Sequence, residues 1–207
     1  SSNTADYAIR SQISGTNNIL KGQASSVSAF NTVSGYGNEG TNISRSTIVG
    51  TRNDLKNGED NVVIGDFHNF DGGKHNVVLG SMAAEEQDVT KSFTNVFDGS
   101  TSTYTVKELV ATRRNTANVE NAVMLGYNTD VTRNGGVALG SESIASVDKG
   151  IAGYDPTTKA ASTDGSPTWK STAAAISVGD STGTTVLTRQ ITNVAAGSED
   201  TDAVNVA

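Results

Sequence analysis

A short apolar triplet closed by glycine recurs along this chain. Thr47-Ile48-Val49-Gly50 is followed by Val62-Val63-Ile64-Gly65 and Val77-Val78-Leu79-Gly80, with glycines 15 residues apart. Val123-Met124-Leu125-Gly126 and Val137-Ala138-Leu139-Gly140 follow at a spacing of 14, and Ile176-Ser177-Val178-Gly179 is the last copy. Weaker copies, Gln12-Ile13-Ser14-Gly15 and Thr32-Val33-Ser34-Gly35, come earlier. Five residues after a glycine stands an apolar side chain (Leu20, Leu55, Phe70, Val131, Ala145), and eight after it a turn former (Gly58, Gly73, Asn134). Each unit therefore reads strand, turn, short strand, turn. Units this short are too small for a helix pair or a propeller blade, but they suffice for one coil of a β-solenoid.

Alternate side chains of a strand point to opposite faces, and a strand with one wet face alternates apolar with polar. Here the first and third triplet positions are apolar, and so is the middle one. Both faces need cover, and a thin coil covers only one. The middle residues Ile48, Val63, Val78, Met124 and Ala138 are therefore expected to lie against other copies of the chain. A covering loop from the same chain is the alternative.

The period breaks once. Gly80 and Gly126 are 46 residues apart, which leaves about 31 inserted. Within the insert, Phe93 to Phe97 and Ser100 to Val106 flank Asp98-Gly99, a strong hairpin signal of the two-residue I′ type. Val106, Leu109, Val110 and Arg113 recur at three- and four-residue spacing, which predicts one short helix. Residues 1–31 are irregular and fit one or two imperfect coils, or an insertion between Gly22 and Phe30. Asp200, just ahead of an apolar run, is placed to cap a helix.

Composition narrows the class. The chain is 35% hydrophobic and 5% aromatic, with 22 glycines but only 2 prolines, which favours an ordered, turn-rich β protein over a disordered one. It lacks cysteine, which removes disulfides and thiolate metal sites. A net charge of −7 argues against nucleic acid and anionic membrane as partners. No apolar run reaches the 18 residues of a membrane span.

Candidate chemistry is sparse. Gly179-Asp180-Ser181-Thr182-Gly183 fits a nucleophile elbow, but both histidines, His68 and His75, lie upstream and no helix is expected after it. The two histidines sit in turns of adjacent units, expected in solvent, with Asp66 or Asp71 as a conceivable third metal ligand. Asp66, Asn69 and Asp71 lack the spacing of a calcium loop. No catalytic, cofactor or metal residues are assigned. Trp169, the sole tryptophan, is expected to plug the fold.

Asn61-Val62-Val63-Ile64-Gly65 and Gly136-Val137-Ala138-Leu139-Gly140 resemble the YadA-like head repeat of the trimeric autotransporter adhesin family. Gly150 to Pro156 with Ser166 to Ser171 resembles its head insertion motif. Thr188 to Gly197 with Thr201 to Ala207 resembles its neck. The resemblance implies an all-β fold: a left-handed parallel β-roll of 14–15-residue coils, assembled as a homotrimer. It divides the chain into head coils (1–80), insertion (81–121), head coils (122–145), insertion motif (146–175), last coil (176–187) and a neck leading to a stalk (188–207). It also implies a non-enzymatic adhesin without cofactor on the bacterial cell surface, its outer-membrane anchor lying outside this fragment.

The implied partner is a host surface receptor or extracellular matrix protein. Solenoid insertions often line one binding face, and aromatics and Arg dominate binding hot spots. Phe93, Phe97, Tyr104, Arg113 and Arg114 are therefore the candidate ligand residues, against the reading that the aromatics form the hairpin's own core. A self-association head, or a solenoid enzyme acting on carbohydrate or acyl donors, are the alternatives.

Overall fold

The computed structural model describes residues 2–203. Among these there is no helix, and strands stack mostly in parallel. One sheet holds eight parallel strands in the order Ile176–Ser177, Val137–Leu139, Val123–Leu125, Val77–Leu79, Val62–Ile64, Thr47–Thr51, Thr32–Tyr36, Gln12–Thr16. A second stacks Thr4–Asp6, Ile19–Lys21, Glu39–Thr41, Asp54–Lys56 and Asn69–Asp71. The chain alternates between the two, so successive triplets lie side by side: Val63 pairs with Ile48 on one flank and Val78 on the other. This architecture accords with a β-solenoid.

The core is a double file between the sheets. Val33, Ile48, Val63, Val78, Met124 and Ala138 are neighbours in register, each at most 1% exposed. Leu20, Leu55, Phe70, Val131 and Ala145 face them from the other side. Gly40 holds the place between Leu20 and Leu55, and the Ile43 side chain fills the space it leaves. This corrects the expectation for Ile48, Val63, Val78, Met124 and Ala138. The coil is thick enough to bury the middle residue of each triplet, so these five are sealed within their own chain. The first and third residues point outward instead.

The triplet ends in glycine for a steric reason. Gly50 has φ 141°, and a Cβ on it would lie 1.8 Å from the carbonyl oxygen of Gly65 in the next coil. Stacked coils leave no room there for any other residue.

Two amide ladders run through the turns. In the first, three residues after each glycine, the Asn38 side-chain oxygen accepts from the backbone N–H of Asn53, while Asn53 Nδ2 donates to the Gly65 carbonyl at 2.7 Å. Asn18, Asn38 and Asn53 are fully buried. In the second, Asn31, Ser46, Asn61 and Asn76 precede the triplets, and each side-chain oxygen takes the next coil's backbone N–H. Buried polar groups are tolerated when fully bonded, and these bonds fix the coil register.

The N-terminal region holds one regular coil followed by extra residues. Gly15 lies beside Gly35, 20 positions on, because a tight turn closed between Gln23 and Ser26 adds length. The larger insertion is an antiparallel hairpin, Ala84–Thr94 against Thr101–Ala111. The short helix expected over Val106 to Arg113 is absent. Val106, Glu108 and Val110 are half-buried while Lys107 and Leu109 are exposed, so the period is two and the segment is strand.

The hairpin turn is longer than the two-residue form expected. Asn95 N–H donates to the Ser100 carbonyl, Gly99 N–H donates to the Asn95 carbonyl, and only Gly99 of the Asp98-Gly99 pair has positive φ. The roll resumes early: Asn115 and Val119 are already buried in it.

Trp169 is half-buried against Gly153, within the segment that also holds the small hairpin Tyr154–Asp155 and Ala160–Ala161. Arg189 closes the C-terminal end, donating to the carbonyls of Ser141 and Val178 and to the Ser143 hydroxyl. Residues 198–202 form turns in which Asp202, not Asp200, accepts from the N–H groups of Ser198 and Glu199. The apolar run Val204 to Ala207, where a stalk helix was expected, lies outside the described residues.

Candidate functional site

Two surfaces stand out. The first is the outward side of the eight-stranded sheet. Ile64, Val77 and Leu79 are 42%, 38% and 41% exposed, although each is apolar. Val62, Val123, Leu125, Val137 and Leu139 extend the same two rows, half-buried. Toward the N-terminus the rows turn polar, with Ser14 and Ser34 hydrogen-bonded at 2.9 Å. A contiguous apolar stripe on an otherwise polar chain marks an interaction surface.

The second surface is the hairpin and the cleft beneath it. Residues opposite each other in an antiparallel pair share a face. Val89 and Val106, Lys91 and Tyr104, and Phe93 and Ser102 are such pairs, and all lie on the face turned toward the roll. Near the base, Val106, Glu108 and Val110 are half-buried. Farther out the same face is open, with Tyr104 52% and Phe93 61% exposed. At the tip, Val96 and Phe97 are almost fully exposed. Arg52 tethers the hairpin from the roll. One guanidinium nitrogen donates to the Leu109 carbonyl at 2.9 Å and another lies 3.6 Å from Glu108. Lys91 also pairs with Glu108, and both this lysine and Arg52 hold that carboxyl below its ordinary range. The open cleft has a volume of about 410 Å³ and runs past Asn17, Tyr36 and Phe67.

The five ligand candidates therefore divide. Phe93, Phe97 and Tyr104 are presented by the hairpin. Arg113 is tied down at its base, with Nε donating to Asn128 Oδ1 at 3.1 Å and Asp130 at 3.8 Å. Arg114 is exposed and donates to Asn69 Oδ1 at 3.0 Å. The hairpin signal located the projecting aromatics. Nothing short-range in the sequence indicated that the hairpin folds back to make a cleft with Arg52 and Tyr36, which lie more than 50 residues from their partners.

The remaining chemical candidates sit in structural places. His68 is not in solvent. It is 1% exposed and occupies the ladder position of Asn53, with Nε2 donating to the Gly80 carbonyl at 2.6 Å and Nδ1 beside Asn115 Oδ1 at 3.2 Å. Burial pushes its pKa down, outweighing those two bonds, which favour the charged form. His75 lies at the surface, 3.6 Å from Asp60. Around Ser181 the chain makes bends, and Asp180 accepts from the Thr182 N–H and hydroxyl.

Comparison with known proteins gives two findings. The model described as the coiled stalk of trimeric autotransporter adhesins matches residues 190–207. Autotransporter adhesin BadA of Bartonella henselae is 59% identical over 71 residues. That match covers 34% of this chain and 2% of the relative, so the chain corresponds to a small part of it. No solved structure matches. With stacked apolar-triplet coils leading into a matched stalk segment, the chain is similar over these parts to trimeric autotransporter adhesins.

Proposed function

We propose that this chain is the head of a surface-displayed adhesin that works as a homotrimer and binds a host receptor or matrix protein. One observation carries the reading: the stripe of Val62, Ile64, Val77, Leu79, Leu125 and Leu139, apolar and outward in a chain whose core is already sealed. Three left-handed rolls turned inward would cover three such stripes at a common axis. Full burial of one Leu or Ile is worth about 1.5–3 kcal/mol, so several per chain support a stable assembly. The matched stalk segment follows the last strand and supplies a second point of association.

On this reading the hairpin points away from the axis, and Phe97, Phe93 and Tyr104 carry ligand contact. The head has no catalytic task. The mass in solution tests the assembly, using the chain fused after Ala207 to a trimeric coiled coil so that a weak neck does not mask it. A trimer in which Ile64 and Leu79 become protected supports the proposal. If those two stay as exposed in the fused trimer as in the single chain, the face is assigned wrongly.

A further inference from the structure

We propose that the cleft between the hairpin base and the roll binds an anionic saccharide. This goes beyond the tip-borne protein contact and, Tyr104 apart, uses different residues. The cleft brings together three properties that a charged sugar ring needs.

The first is charge. Arg52 and Lys91 both line the cleft and share a single carboxylate, Glu108. Two cations against one anion leave the cleft positive, in a chain whose net charge is −7. The local sign is opposite to that of the whole, and it selects a carboxylate or sulfate group. A guanidinium beside a carboxylate-bearing ligand forms strong charge-assisted bonds.

The second is an apolar platform. Tyr36 is 46% exposed on the roll side, and Tyr104, directly opposite Lys91 in the hairpin register, is 52% exposed on the face that continues the cleft outward. Phenol rings present an apolar face and a polar tip, which suits the C–H face and hydroxyl rim of a pyranose.

The third is size. A cleft of about 410 Å³ lies near the small end of the ordinary range for ligand pockets, and Arg52 closes it by bridging to the hairpin backbone. That volume suits one or two sugar rings. The side-chain oxygen and nitrogen of Asn17 are at hand for hydroxyl groups. Uronic, sialic and sulfated sugars share this chemistry, so the test separates them.

The full chain is titrated by calorimetry and by NMR line-broadening with 3′-sialyllactose, a hyaluronate tetrasaccharide, a heparin-derived disaccharide and, as the neutral control, lactose. Saturable binding of at least one anionic sugar is expected, with lactose at least about tenfold weaker, since loss of one charged bond is worth about 1.4 kcal/mol or more. Lys91→Gln and Tyr36→Thr should each weaken binding about fivefold or more. Tyr36→Thr is structurally conservative because Thr16 and Thr51 hold the same register position on either side. Phe97→Ser at the tip should leave sugar binding unchanged, which separates this site from the protein-binding one. The proposal is overturned if no anionic sugar binds at 10-millimolar order, if lactose binds equally well, or if both cleft variants bind like the parent chain.

Discussion

The Nε2 of His68 lies 2.6 Å from the carbonyl oxygen of Gly80, in the seat where Asn53 reaches the carbonyl of Gly65. An imidazole thus replaces a carboxamide inside the ladder. It fulfils the same donor role at the price of a titratable group, because unlike an amide it gains charge in acid.

The consequence is a pH-dependent stability with a definite sign. Burial holds the folded-state pKa of His68 below the ordinary value of 6.5. The unfolded chain binds a proton near that ordinary value, while the folded chain does not. Stability contributed by the neutral, buried ring is complete above pH 6.5 and is lost as pH falls toward the folded pKa, at up to about 1.4 kcal/mol per pH unit. His68→Asn restores the ladder residue of the neighbouring coils. Chemical denaturation between pH 7 and pH 4 should show a shallower acid decline for the variant than for the parent. Parallel declines would show that His68 carries none of the dependence.

The spacing of the glycines yields a second expectation. Gly50→Ala would set a methyl group 1.8 Å from the Gly65 oxygen and force alanine to a φ of 141°. Neither coil can move without breaking its parallel pairing. The loss should be several kcal/mol, above the usual range for a single substitution. Gly99→Ala, at the open hairpin turn where nothing lies within 4 Å, should cost only about 1 kcal/mol from its positive φ. Thermal melts of the two variants give the comparison directly.

The repeat was legible because its cause is local. Glycine is demanded by a clash one coil away, and the triplets by a core to which each coil adds one residue from either sheet, so both recur at the coil spacing. What was misread follows from the same economy. Three consecutive apolar residues state that two faces are covered, but not which face is covered by the chain itself. Val63 was assigned outward because a two-layer coil was taken to be too thin, yet Leu55 and Phe70 of the second sheet reach it. The helix reading of Val106, Leu109 and Val110 failed because Leu109 is an exposed apolar residue on the outer face of a strand, and only Val106 and Val110, an even number apart, share the face on the roll. The cleft had no signature, since it joins Tyr36 and Arg52 to Lys91 and Glu108 through the way the hairpin folds back.

Core and face should separate in mutants. Leu55→Ala removes a side chain that is 1% exposed and should destabilise the chain by about 2–5 kcal/mol, whatever its state of assembly. Ile64→Ser, on the outward row, should change single-chain stability by no more than about 0.5 kcal/mol. It should nevertheless raise the dissociation constant of the trimer roughly tenfold or more. Denaturant melts and analytical ultracentrifugation on both variants distinguish these effects. An Ile64→Ser variant that unfolds as readily as Leu55→Ala would place that side chain in the core and remove the stripe as an interface.

Excision of the hairpin tests how independent the ligand surface is from the roll. Thr112 N–H donates to the Ala83 carbonyl at 2.8 Å, so the two ends of the hairpin already meet. Replacing residues 84–111 with a two-residue Asn-Gly turn bridges that gap without disturbing the coils. The cut has to stop there. Asn115 supports His68 and Val119 belongs to the core, so a deletion reaching 119 would remove part of the roll itself. The short excision should retain the parallel-sheet circular dichroism signal and the trimer, with stability within about 1–2 kcal/mol of the parent, because the lost tethers are surface bonds. Binding of cells or matrix proteins to the immobilised head should fall to background. Full binding by the excised, still trimeric head would move ligand recognition off the hairpin and onto the coils.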